Sequence, residues 1–133
     1  MMDYIIWHPT AEAALADPLL APWRVAPDGW DTSRVIPEVS IYRIAGTETV
    51  EMPDIGITME TEIRAPLEGH YMVLALDARD ATLDAAPQVM LIADRESGVI
   101  LHAITTAEDL ATLHVEPTFA GSSYPFGAPV LAA

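Results

Sequence analysis

Three short runs, Tyr71 to Leu76, Val89 to Ala93 and Val99 to Ile104, are apolar at almost every position and stop at polar or turn-forming residues. Apolar runs this brief suit strands covered on both faces better than buried helices, which need roughly twice the length. They commit the chain to a sheet with core on either side. A further segment, Ile57 to Arg64, alternates instead. It sets Ile57, Met59 and Ile63 on one face and Thr58, Glu60, Glu62 and Arg64 on the other. Alternation of this kind predicts one dry and one wet face, and hence an antiparallel sheet.

The remaining segments fit around that sheet. Tyr4 to Trp7 reads as a short first strand ended by His8-Pro9, and Thr10 can cap a helix over Ala11 to Ala16 that Pro18 interrupts. Ala21 to Pro37 reads as loop, with a turn at Pro27-Asp28-Gly29. Val39 to Ile44 and Thr47 to Met52 read as two strands joined by a tight hairpin at Ala45-Gly46. Asp94 to Gly98 is a hairpin loop in which Gly98 supplies a positive φ. Asp80 to Ala86 predicts a helical turn stopped by Pro87, and Thr105-Thr106-Ala107-Glu108 matches a capping box opening a helix from Thr106 to about Leu113. The expected core is Val73, Leu74, Leu76, Val89, Leu91, Ile92, Val99 and Leu101.

The fold class that follows is α+β leaning mostly β: a single antiparallel sheet or sandwich-like core with one or two short helices and an extended C-terminal arm. Residues 1–116 form one compact domain and 117–133 form the arm. A chain of 14.4 kDa can bury about two-thirds of its unfolded surface, which is enough for one core.

Charge narrows the function. All six cations are arginines, against twenty carboxylates, for a net charge of −14; lysine, asparagine and cysteine are absent. Such a surface repels nucleic-acid phosphates and anionic lipid heads, so neither direct nucleic-acid nor membrane binding is expected. The acids are scattered singly or in close pairs among apolar residues, as on a solvated face. No apolar run approaches the ~18 residues of a membrane helix. Asp3 and the lack of an N-terminal basic stretch argue against a signal peptide. A cytoplasmic location, or incorporation in a virion, is the expectation.

Residues 117–133 carry no charge at all, yet hold Phe119, Tyr124 and Phe126 among three prolines and two glycines. Proline at that density excludes a helix and favours an extended path. Aromatic residues without charge favour burial. The arm therefore packs on its own core or on another subunit, and Phe119, Tyr124 and Phe126 are the expected partner-binding residues.

No constellation for catalysis emerges. No two of His8, His70, His102 and His114 have the i, i+4 spacing of a zinc helix. His102, Glu108, Asp109 and His114 are near in sequence, but surface positions are the simpler account. The serines lack a G-x-S-x-G context, and no phosphate-binding or dinucleotide-binding glycine motif is present. Glu60 and Glu62 share a strand face about 6.5–7 Å apart, near a glycosidase spacing, though exposed strands commonly carry such pairs. Trp7, Trp23 and Trp30, the latter two around the Pro27-Asp28-Gly29 turn, can stack on a sugar or plug a loop onto the sheet. No cofactor and no metal are expected.

The expected function is thus a non-enzymatic structural or assembly subunit of a larger complex, with a bacteriophage particle (tail, connector or capsid-associated) as the setting. Its partners would be proteins, either copies of itself or other subunits. The alternatives are an acidic inhibitor that mimics nucleic acid against a defence complex, and a small glycan-binding module or hydrolase.

Overall fold

The computed structural model describes residues 1–26, 29–104 and 112–116. The fold is mostly β, one large curled antiparallel sheet with a few short helices. In chain order the elements are β1 (Met2–His8), α1 (Ala11–Ala16), a 3-10 turn (Pro18–Trp23), β2 (Arg24–Ala26), β3 (Gly29–Trp30), β4 (Val35–Met52), β5 (Ile57–Pro66), β6 (His70–Leu76), α2 (Ala81–Asp84), β7 (Val89–Asp94), β8 (Ile100–Ala103) and β9 (Leu113–Glu116). The sheet order is β5-β4-β6-β1-β7-β8, with β9 also paired to β4, while β2 and β3 form a separate small pair.

The first strand sits at the centre. β1 pairs with β6 from Met2↔Leu76 to His8↔His70 and, on its other edge, with β7. Alternation then divides its side chains between two cores. Ile5 joins Val73, Tyr71, Leu91, Ala93 and Ile100 on one face, capped by Ile41 of β4 and Leu113 of β9 as the sheet curls. Tyr4 and Ile6 join Met72, Leu74, Val89 and Ile92 on the other, under Ala14 of α1, Leu20 of the 3-10 turn and Leu83 of α2. Tyr71 to Leu76 and Val89 to Ala93 are covered on both faces, as their composition requires, whereas Val99 to Ile104 is not: among the described residues β8 is an edge strand, with Leu101 half-buried and Ile104 65% exposed.

Local chemistry sets the boundaries of the helices. The Thr10 side chain accepts from the Ala13 N–H and starts α1. Asp17 accepts from Leu19 N–H at the next turn, and Asp80 accepts from Thr82 and Leu83 N–H to start α2. Each cap satisfies amides that have no partner within the helix. Gly98 has φ of 73° at the β7–β8 turn, as expected there. Gly69 is also left-handed, and a Cβ there would lie 2.1 Å from Trp7 Nε1, so only glycine lets that indole cross the β5–β6 corner.

Four expectations are corrected. Ala45-Gly46 is not a hairpin: β4 runs unbroken to Met52, and the register shift between Ile44 and Gly46 is a bulge. Gly46 lacks the positive φ that a two-residue turn demands, whereas Gly56 has it, at 67°, and closes the turn through Pro53-Asp54. The stretch read as loop up to Pro37 already contains β2, β3 and the start of β4, with Pro37 in the irregular step between Ile36 and Val39, where no ladder donor is needed. Leu113 begins a strand rather than ending a helix; the capping box itself lies outside the described residues. Leu76, Val99 and Leu101 are half-buried, and the core instead draws on Tyr4, Ile5, Ile6, Met72 and Ile100.

Candidate docking surface

β4 and the two strands after it form one long hairpin. Pairing steps from Met52↔Ile57 to Tyr42↔Pro66 along β5, then from Val39↔Tyr71 to Val35↔Leu74 along β6. Only the β6 half is embedded among other strands. Beyond Tyr42 the hairpin leaves the body as a two-stranded ribbon of roughly 30 Å, taking ~3.3 Å per residue. Every residue of β5 is exposed, and among the described residues β5 pairs with β4 alone.

This corrects the reading of Ile57 to Arg64 as a half-buried strand. The alternation is real but neither face is covered: Ile57, Met59 and Ile63 are 49, 45 and 44% exposed. Cross-strand partners share a face, so Met52 and Val50 extend the apolar side opposite Ile57 and Met59. Ile55 in the turn is also exposed, at 63%, while the Glu48–Thr61 pair interrupts the apolar side between Met59 and Ile63. The opposite face carries Glu51, Glu60 and Glu62, interleaved with Thr47, Thr49 and Thr58. From Ile44 to Arg64 the ribbon bears five carboxylates and a single cation.

That cation is spent on the ribbon's base. The Arg64 guanidinium lies 4.4 Å over the Tyr42 ring and donates from Nη1 to Glu116 Oε2 at 2.8 Å. Tyr42 stacks on His114 at 5.3 Å, and its hydroxyl donates to Glu116 Oε1. The hydrogen bond and charge of Arg64 hold the Glu116 carboxyl below its ordinary range. Burial first, then the nearby Glu116 and Glu62 carboxylates, raise the Tyr42 phenol against the opposing effect of Arg64. β9 thus braces the ribbon where it leaves the body. His102 is half-buried and His114 exposed, and no cluster among the described residues could hold a metal.

Elsewhere the polar groups read as structural. His8 Nε2 lies 2.8 Å from Asp17 Oδ2, which also accepts from Gln88 Nε2. Burial raises the Asp17 carboxyl, but hydrogen bonds from His8, Leu19 N–H and Gln88 outweigh it and leave it lowered. Asp3, fully buried, is held by a two-pronged contact from Arg95, with Nη2 to Oδ1 at 2.7 Å and Nε to Oδ2 at 3.2 Å.

Grooves also mark the surface formed by the described residues. One of about 380 Å³ is lined by Glu38, Val39, Ile41, Leu67, Tyr71 and Glu116. A second, of about 340 Å³, has Trp30, Glu38 and His70 in its wall. Trp23 and Trp30 pack against the core beneath the helices, which is the loop-plugging role; Trp7 is partly exposed over Gly69. Glu60 and Glu62 share a face in open solvent. Phe119, Tyr124, Phe126, Glu108 and Asp109 lie outside the described residues. The ribbon was the feature the sequence did not reveal as exposed. Pro53-Asp54-Ile55-Gly56 was the available signal, since a turn there makes a long hairpin whose far strand pairs with little else.

Compared with protein-family models, with curated proteins and with solved structures, the chain matches none.

Proposed function

We infer that this chain is a non-enzymatic structural or assembly subunit, working through protein partners, and that the ribbon is its docking arm. The observation that supports the reading is the apolar cluster of Met52, Ile55, Ile57, Met59 and Ile63, held in solvent on a strand pair that the sheet does not need. Large apolar side chains clustered in solvent commonly mark an interaction site. Aromatic anchors at Phe119, Tyr124 and Phe126 would add a second contact. A bacteriophage particle is the proposed setting, on the ground of small size, acidity and absent cysteine.

The test replaces residues 46–63 by an Asn-Gly turn, which preserves the β4–β6 pairing in the body. The shortened chain should keep its melting temperature and lose co-purification with products of neighbouring genes. Unchanged co-purification by the shortened chain would sink the docking role. The second reading, a nucleic-acid mimic, draws on the shared face of Glu51, Glu60 and Glu62. It requires that double-stranded DNA compete with the chain for its partner.

A further inference from the structure

The geometry points to the free edge of β5 as a strand-addition site for a partner segment that alternates apolar and basic residues. This deepens the docking reading above and rests on it. β5 is ten residues long, regular, and paired on one side only among the described residues. A strand of that length with an open edge offers a row of backbone donors and acceptors to any extended chain. Pro66, which has no N–H to offer, closes the end next to the body.

The side chains determine which chain fits. An added strand continues both faces of the ribbon. Against Met59 and Ile63 it must present apolar groups, because these side chains stand nearly half exposed. Against Glu60 and Glu62, two positions later on the same face, it must present lysine or arginine, since like charges directly opposite destabilise a pair. The only cation of the ribbon, Arg64, is already bridged to Glu116.

A second copy is the obvious competitor, and charge argues against it. The antiparallel register that pairs residues 57–65 sets Glu60 opposite Glu62 twice, and the one that pairs 58–66 sets Glu62 opposite itself and Glu60 opposite Arg64, whose guanidinium is already held by Glu116. Each copy also brings a net charge of −14. The glutamates therefore do two things at once. They disfavour self-pairing of an exposed edge, and they select a basic strand from among possible partners.

The probe is a fluorescein-labelled nine-residue peptide alternating valine and lysine, with an alternating valine–glutamate peptide as its counterpart. The full chain should bind the lysine peptide, more weakly as salt rises, and leave the glutamate peptide unbound. Binding should slow amide hydrogen exchange within Thr58 to Arg64. Glu60→Lys/Glu62→Lys, both at exposed positions, should reverse the preference, with about a tenfold change for each peptide. Glu12→Lys/Glu68→Lys makes the same change in net charge and should leave the preference as it was. Equal loss of lysine-peptide binding in both double variants, or exchange protection confined to other strands, would overturn the assignment in favour of general charge attraction. A dimer seen by light scattering and dissolved by Glu60→Lys/Glu62→Lys would overturn it in favour of a second copy. If the peptide fails while ribbon excision still abolishes co-purification, the basic-strand assignment falls and the docking role stands.

Discussion

Two carboxylates near the core show how environment, not residue type, decides what an acid does. Asp3 is the second residue of the central strand and has no access to water, and its charge is tolerated because Arg95 meets it with two donors. Removing one partner of such a pair leaves a buried charge poorly compensated. Arg95→Ala should therefore destabilise the protein by about 3–5 kcal/mol, read from urea midpoints at constant m-value. Asp17 gives a pH signature instead. Its carboxyl is lowered from the ordinary 3.8, so folding holds it ionised more firmly than the unfolded chain does. That contribution is complete above the unfolded pKa and is lost as the pH falls through the lower, folded value. Asp17→Asn should then lose stability near pH 7 and show a shallower decline than the parent below pH ~4. Parallel declines for the two proteins would show that other carboxylates carry the acid sensitivity.

At the scale of elements, identical-looking strands differ in what they hold together. β6 is apolar throughout, lies between β4 and β1, and sends Leu74 into the core beneath the helices with no exposed area. Leu74→Ala should cost about 2–5 kcal/mol, by lost transfer free energy and the cavity left behind. A measured loss under 1 kcal/mol would mean that β6 is peripheral. β5 is as regular as β6 and longer, yet all of its residues are exposed, and beyond the contacts of Arg64 at its base no described strand or helix covers either of its faces. Its periodicity states only which side chains share a face. Whether a face is buried depends on what lies above it, and for Ile57, Met59 and Ile63 nothing described does.

For the molecule as a whole, local signals were legible and long-range ones were not. Thr10 and Asp80 cap the helices, Gly98 takes a left-handed turn, and Tyr71 to Leu76 and Val89 to Ala93 form doubly covered strands. Each of these is decided by neighbours within a few residues or by composition, and so was written in the sequence. The centrality of Tyr4 to Trp7 was not. A short N-terminal run becomes the middle strand because β6 and β7, each more than sixty residues away in sequence, close on its two edges. The buried acid at position 3 is met by an arginine 92 residues further on, a pairing no local signal announces. The candidate site followed the same division. Alternation in Ile57 to Arg64 fixed an apolar and an acidic face from the sequence alone. Their exposure was decided by the turn at Pro53 to Gly56, which carries the hairpin past the last strand able to cover it.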